Sequence, residues 1–325
     1  MDNKSKTVFV TGGSGFVGRN LIPLLLEKNY IVKALSRSNK SRKLLKSLGA
    51  IIINGDLNNK EAISKGLTDC ISVFHLAASV DFYASEKQLT KIHVEASKLL
   101  VKEAIKANVK NFINLGAASV IINGKPITNA NETFISNNLR DGYSRTKLKA
   151  EQYILKSSTP KFRTISLRPP LIWGKGDLHT LPSIVEAIHK GQMMFINGGN
   201  HLFNTCHISN ICYALLLAEE TKESGEAYFI TDDEDVEFKD FITQYVSTKT
   251  DKVQQKSISL KTARAFASIL ELIWRVFKLK NSPPLYNGLV NVLGLQFTLD
   301  IQKAKKDLKY VAVKTVEQGL NEMAK

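Results

Sequence analysis

Short apolar runs alternate with longer amphipathic stretches through the first half of the chain. "TVFVTG" at 7–12 is apolar and ends in glycine. "GRNLIPLLLEKN" at 18–29 has helical spacing, in which Pro23 predicts a kink or a short first segment. "IVKALSRS" at 31–38 is the next strand, and "KSRKLLKSLG" at 40–49 a short helix with Gly49 at its end. "AIIING" (50–55) and "KEAISKGL" (60–67) repeat the pair. "ISVFHLAA" (71–78) is a fourth strand, "KIHVEASKLLVKEAIKAN" (91–108) a long amphipathic helix, and "KNFINLGAAS" (110–119) a fifth strand. Strands apolar on both faces, separated by helices, predict a parallel sheet covered on each side.

Past "TISLRPPLIWG" (164–174) the alternation loosens. Polar turns such as "INGGNH" and "TDDED" separate short elements. The expectation is an α/β fold: a Rossmann-type doubly wound sheet over residues 1–168 that binds a dinucleotide, then a smaller α/β substrate lobe over 169–325, partly interleaved with the end of the sheet.

"TGGSGFVG" (11–18) follows the first strand and opens the first helix. Gly12, Gly15 and Gly18 let the backbone turn sharply and approach a pyrophosphate, and the helix that the loop opens points free amides at the anion, with Phe16 and Val17 counted among the cofactor-binding residues. The second strand ends in Ser36 and Arg37, where an NAD site carries a carboxylate for the ribose hydroxyls. A guanidinium and a hydroxyl suit a 2′-phosphate instead, so NADP is expected, with NAD as the alternative. Arg19 and Lys40 would add positive potential.

In "GYSRTKLKA" (142–150), Tyr143 precedes Lys147 by one helical turn, which puts both on one face. A free phenol titrates near 10. A fixed ammonium beside it favours the phenolate and would bring the group toward neutral pH, where it can act as acid and base.

Composition changes this picture little. The chain has 325 residues, 43% hydrophobic and 23% charged, the make-up of a globular domain. No apolar run is long enough for a signal peptide or a membrane span, so a cytoplasmic protein is expected. Three cysteines without paired spacing suggest neither a disulfide framework nor a zinc site, and no metal is expected. The net charge of +15 favours anionic partners, but the lysines are scattered and no nucleic-acid module is present.

"TGGSGFVG", "GDL" (55–57), "VFHLAA" (73–78), "YSRTK" (143–147) and "RPPLIWGKGD" (168–177) together resemble the extended short-chain dehydrogenases/reductases. "HLFNTCHISNICYALLLAEE" (201–220), "GEAYFITDDEDVEFKDFI" (225–242) and "FTLDIQKAKKDLKYVAVKTVEQGL" (297–320) are similar to the branch containing 3β-hydroxysteroid and sterol-4α-carboxylate 3-dehydrogenases. The resemblance implies Tyr143 as general acid/base and Lys147 as its partner and holder of the nicotinamide ribose. It implies Asp56 and Leu57 at the adenine, Ala77 and Ala78 close against the cofactor, and Pro169, Leu171 and Ile172 beside the nicotinamide. The family's carbonyl-binding Ser or Thr falls on Ala117 here, and Ser119 is the nearest hydroxyl. His75 and His207 read as structural histidines.

The expected activity is NADP(H)-dependent interconversion of a secondary alcohol and a ketone on a small lipophilic, sterol-like or 3-oxoacyl, substrate, by a monomer or homodimer. The alternatives are an NAD-retaining sugar-nucleotide epimerase or dehydratase, and a weakly active cofactor-binding regulatory protein. In "KTARAFASILELIWRVFKLK" (261–280), Ala263, Phe266, Ile269, Leu270, Ile273, Trp274 and Phe277 recur at helical spacing beside Arg264, Arg275, Lys278 and Lys280. The first expectation is a core-facing helix of the small lobe. The second is a helix that caps a lipophilic pocket or rests on an anionic membrane.

Overall fold

The computed structural model describes residues 6–79, 84–136, 139, 141–252, 256–277, 279 and 283–324. In chain order the first half forms β1 (Thr7–Thr11), α1 (Phe16–Glu27), β2 (Ile31–Ser36), α2 (Asn39–Ser47), β3 (Ile51–Asn54), α3 (Lys60–Leu67), β4 (Cys70–His75), α4 (Glu86–Leu89), a π-helical turn at Thr90–Glu95, α5 (Ala96–Lys106) and β5 (Asn111–Leu115). A 3₁₀ turn at Ala118–Ile121, β6 (Ile127–Ala130), α6 (Gly142–Lys156) and β7 (Arg163–Arg168) follow. The second half forms β8 (Leu171–Trp173), α7 (Thr180–His189), β9 (Phe195–Ile196), β10 (Leu202–His207), α8 (Ile208–Glu220), β11 (Glu226–Phe229), β12 (Asp235–Glu237) and α9 (Phe238–Ser247). It ends with β13 (Ser257–Ile258), α10 (Leu260–Val276), α11 (Asn287–Gly294), β14 (Phe297–Leu299), α12 (Gln302–Asp307) and α13 (Val316–Ala324).

Seven strands pair in the order β3-β2-β1-β4-β5-β7-β11, every pair parallel. This is the expected doubly wound sheet. Its strands carry apolar residues on both faces because both faces are covered. In β1, Val8 and Val10 join the cluster that holds Leu21, Ile22 and Leu25 of α1 and Leu215 of α8. Phe9 points the other way, into a cluster with Ile63, Leu100, Val101, Phe112 and Ile154. Strand order reverses between β1 and β4, so the crevice of the sheet opens at their C-terminal ends.

The two halves of the chain exchange strands. β11 completes the main sheet beside β7, and β6 leaves the first half to pair with β14 in a second sheet, ordered β12-β10-β14-β6 with β8 beside β10. β9 and β13 form a separate parallel pair.

Three local features refine or overturn the expectations, each for a physical reason. α1 continues through Pro23 to Glu27 without ending. The proline removes one helical hydrogen bond, but Leu21, Ile22 and Leu25 are fully buried and hold the turn on either side. The single long helix expected over 91–108 instead opens with the π turn at Thr90–Glu95 before α5 begins. α10 is not core-facing: Ala263 and Ala267 are its only buried residues, while Phe266, Ile269, Ile273 and Phe277 are exposed. Lys278 and Lys280 lie outside the described residues.

α3 meets β1 without space to spare. A Cβ built at Gly66 would stand 2.3 Å from Phe9 Cε2 and 2.8 Å from its Cζ. Alanine is the better helix former by about 1 kcal/mol, yet overpacking costs about 1–3 kcal/mol. Gly66→Ala should therefore lower stability, read as an earlier urea midpoint at unchanged slope. An equal or later midpoint would show that Phe9 yields freely.

Candidate active site

The glycine loop is built by close approach. Gly12 has φ +71°, and a Cβ there would lie 2.6 Å from the Ala77 amide nitrogen and 2.7 Å from the Leu76 carbonyl carbon. A Cβ at Gly18 would lie 2.4 Å from Gly13 Cα. Backbone therefore packs on backbone where β1 and β4 end. Gly15 is exposed and caps α1 without a side chain, and no acidic residue stands in the first turn at Phe16, Val17 and Gly18. The first amides of α1 and the positive end of its dipole are left to an anion. This cradle fits a dinucleotide pyrophosphate.

Because the strands are parallel, their C-terminal ends share one rim, and residues far apart in sequence converge there. Ser36 is buried at the end of β2, its hydroxyl donating to Ser41 Oγ at 3.0 Å. Arg37 follows, exposed. Asp56, after β3, is exposed and closes its own turn by accepting from the Asn58 amide at 2.8 Å. Leu57 packs on the Phe9 cluster. Ala77 and Ala78 follow β4, half-buried and exposed, with Ala77 against Gly12. Arg19 is not aimed at the end of β2: it donates to the carbonyls of Gly15 and Gly176 at 3.4 and 3.1 Å.

The ends of β5 and β7 are stitched together. The Gly116 amide donates to the Leu167 carbonyl at 2.7 Å and the Ala118 amide to the Pro169 carbonyl at 2.9 Å. Pro169 is buried, and Leu171 and Ile172 are half-buried just beyond it in β8. The 3₁₀ turn packs on α6. Ala117 precedes this turn in an extended conformation and offers no hydroxyl. Ser119 Oγ, inside the turn, is buried with no hydrogen-bond partner among the described residues.

α6 starts at Asp141, whose carboxylate accepts the Ser144 amide at 2.7 Å. Tyr143 and Lys147 are each 8% exposed, one turn apart. Lys147 Nζ donates to the Leu115 carbonyl at 2.7 Å, which pins α6 to the last residue of β5. One turn further, Glu151 accepts from Ser166 Oγ at 2.7 Å and pairs with Arg168. Burial pulls the Lys147 ammonium down to about 8, against the pull of Glu151. Here the sequence expectation is corrected. Tyr143 is not shifted toward neutrality: burial, with Asp141 second, pushes it up to about 12. Desolvation of the phenolate outweighs the cation one turn away, whose proton points at Leu115.

His93 was not singled out by the sequence. The π turn places it beneath Tyr143, the two rings edge to face at 5.5 Å between centroids. Its Nε2 accepts the Ser79 amide at 3.1 Å, which assigns the proton to Nδ1. Nδ1 then donates to Thr146 Oγ1 at 2.9 Å, and Thr146 donates to the Gly142 carbonyl at 2.8 Å. A polar residue on the apolar face of "KIHVEASKLL" was the available signal. π turns recur at functional sites.

The sequence profile of the 3-beta hydroxysteroid dehydrogenase/isomerase family matches residues 9–262. The chain belongs to this family. A 4-hydroxy-2-methyl-3-oxo-4-farnesyl-3,4-dihydroquinoline-1-oxide ketoreductase of Stigmatella aurantiaca is 33% identical over 314 residues, 96% of this chain and 94% of that protein. The decarboxylating sterol-4-alpha-carboxylate 3-dehydrogenase of Dictyostelium discoideum is 31% identical over 328 residues, 98% and 100% of the two chains. The UDP-glucose 4-epimerase of Thermotoga maritima, a solved structure, matches with a TM-score of 0.76 over 98% of this chain and 97% of that one, at 19% identity, a likeness of fold alone. As a 3-beta hydroxysteroid dehydrogenase/isomerase family member, the chain is an NAD(P)-dependent oxidoreductase of the extended short-chain type.

Among the described residues no cluster of His, Cys, Asp and Glu could hold a metal ion, and no helix is long and apolar enough to cross a membrane. His75 is held between Thr11 Oγ1 (2.8 Å) and Ser97 Oγ (2.9 Å), a structural role. His207 caps α8 by accepting the Ser209 amide, while its Nε2 is buried without a hydrogen-bond partner among the described residues.

Burial holds His75 down to about 3 and His93 to about 4, both below the ordinary imidazole value. The folded state thus refuses protons that the unfolded chain binds below about 6.5. Their neutral-state stability is complete above that value and is lost as pH falls toward the folded values. By pH 5 each histidine should cost about 2 kcal/mol. Urea midpoints at pH 7.5 and 5 test this, with His93→Gln removing about 2 kcal/mol of the acid loss. Equal stability at the two pH values would refute it.

Proposed function

We propose that this protein is an NADP(H)-dependent oxidoreductase that interconverts a ketone and a secondary alcohol on a lipophilic substrate, with Tyr143 moving the proton. The observation that carries the reading is the buried Tyr143/Lys147 pair, seated at the same rim of the sheet as the glycine loop. Gly12, Gly15 and Gly18, with Phe16 and Val17, would hold the pyrophosphate. Arg37 would take the 2′-phosphate, Asp56 and Leu57 the adenine, and Ala77, Ala78, Pro169, Leu171 and Ile172 the path to the nicotinamide. The cofactor supplies or receives the hydride.

Lys147, fixed by Leu115, would present its remaining protons to the nicotinamide ribose. Tyr143 is a phenol at neutral pH, so it stands ready to donate to a developing alkoxide. Ser119, whose hydroxyl is unpartnered, would orient the carbonyl in place of the hydroxyl that Ala117 lacks. His93 would hold the ring of Tyr143 through contact and the Thr146 bond. It takes no proton itself, being neutral with both nitrogens engaged. The farnesylated and sterol substrates named for the two relatives support a lipophilic substrate. Arg37, where an NAD site has a carboxylate, counts against a sugar-nucleotide epimerase.

The cofactor assignment is tested by fluorescence titration. NADPH should bind at least about tenfold tighter than NADH, roughly 1.4 kcal/mol, and Arg37→Asp should erase the preference. Equal affinities in the unmodified protein would sink it.

The chemistry is tested with a panel of lipophilic ketones followed by NADPH oxidation. Tyr143→Phe should cut turnover by about 10²-fold or more with cofactor affinity intact. Ser119→Ala should cut it by about 10²- to 10³-fold, the usual loss for a preorganised donor. Undiminished turnover in either variant removes that residue from the mechanism.

A further inference from the structure

Behind the Tyr143/Lys147 pair lies a buried charge system that the proposed chemistry does not use. Glu151 stands one helical turn beyond Lys147 on α6, on the same face. Both of its oxygens are taken by β7. Arg168 Nε donates to each at 3.0 Å, Arg168 Nη2 donates to Oε1, and Ser166 Oγ donates to Oε2 at 2.7 Å. Ser166 Oγ in turn accepts from Asn114 Nδ2 of β5 at 2.9 Å. All four residues are buried. The carboxylate also reaches the end of β5, since a Cβ at Gly116 would stand 2.9 Å from Glu151 Oε2. The Lys147 ammonium is bonded to the carbonyl of Leu115, the residue just before. An ammonium, a guanidinium and a single carboxylate therefore share one buried spot where β5 and β7 end.

We infer that Arg168 is a positioning residue for Lys147: by holding both oxygens of Glu151 it keeps that carboxylate from taking the ammonium, which stays on the Leu115 carbonyl and free to reach the nicotinamide ribose. This rests on the reading that Lys147 holds that ribose. Opposite charges four residues apart on a helix meet readily, and burial strengthens their attraction. Left alone, Glu151 would draw Lys147 along α6 and away from β5. A planar guanidinium spans two carboxylate oxygens where an ammonium is a point charge, so Arg168 prevails. Glu151 then acts on Lys147 only from a distance, favouring its charged form.

The other groups that face Lys147 are uncharged at neutral pH. His93 on the π turn and His75 on β4 are held neutral by burial first and by the Lys147 cation second. Tyr143 is a phenol. The 3₁₀ turn at Ala118–Ile121 carries no ionisable side chain. The charges of α4 and α5 are engaged elsewhere: Glu86 pairs with Arg145 and Lys149, Glu103 with Lys106, and Lys98 lies over the Tyr153 ring. Glu151 and Arg168 are thus the two groups that act on the charge of Lys147 with opposite sign.

The test is cofactor affinity against pH, read by fluorescence titration of the full chain with NADPH and with NADH between pH 7 and 10. It needs no turnover. Affinity should fall about tenfold as the Lys147 ammonium loses its proton, and Lys147→Met should lack that fall. Glu151→Gln leaves Arg168 facing Lys147 without the anion, so the midpoint of the fall should drop by about one pH unit. Arg168→Gln frees Glu151 to take the ammonium, so the midpoint should rise by about one pH unit while affinity at pH 7 weakens about tenfold. Glu151→Gln combined with Arg168→Gln should return to within about half a pH unit of the parent. Breaking a buried ion pair costs stability, but lost stability gives no reason for displacements of opposite sign. Where a single variant does not fold, Ser166→Ala takes its place: the ion pair stays, Glu151 loses one donor, and the midpoint should rise by about half a pH unit. Displacements in one direction only, or none in any variant, would overturn the inference even if Lys147→Met abolishes the fall. A fall that persists in Lys147→Met would overturn the ribose reading and this inference with it.

Discussion

Seven strands running parallel send every chain crossover to the same edge, and the whole candidate site depends on that constraint. Gly12, Arg37, Asp56, Ala77, Ser119 and Pro169 are far apart in sequence, yet each lies within four residues of a strand's C-terminal end. The constraint tightens where β1 and β4 finish, since there the Gly12 backbone touches the backbone of Leu76 and Ala77. Any side chain at Gly12 would force those two strands apart. The proposed phosphate cradle is thus a by-product of packing that the sheet requires for its own cohesion.

The same edge controls the electrostatics. Tyr143 and Lys147 sit in a place dry enough to penalise either charge, and burial moves both toward their neutral forms. The protein holds Lys147 charged near neutrality through the Leu115 carbonyl and the more distant Glu151. A resting phenol and a cation only modestly stabilised describe a site whose final proton balance is set when further polar groups enter it.

What could be read from the chain followed the range of the physics. Glycine spacing before a helix and a tyrosine one turn from a lysine are local requirements, and both were legible. So was the order of strand and helix up to β5, because a fully buried strand must be apolar on both faces. Pro23 did not end α1, because propensity is local while the burial of Leu21 and Leu25 is not. Nothing in the four residues of β6 or β11 says which sheet they will join, so interleaving could be expected while the strands that cross between the halves could not be named. α10 failed in a third way: periodicity reveals an apolar face but carries no sign for its direction. His93 escaped because a single polar residue on a helix is unremarkable until the π turn gives it Tyr143 as a neighbour.

That turn has a consequence for length. A loop closed from i to i+5 holds about one residue more than an α turn, and one residue is about 100° of helical phase. The segment Thr90–Glu95 therefore works as a phase adjuster between two faces that must both be right: His93 toward Tyr143, and Leu100, Val101 and Ala104 toward the sheet. In a relative one residue shorter here, the helix could close as a regular α-helix and satisfy only one of the two. Alignment gaps within this stretch are then changes of rotational setting, and the identity of the residue under the tyrosine changes with them.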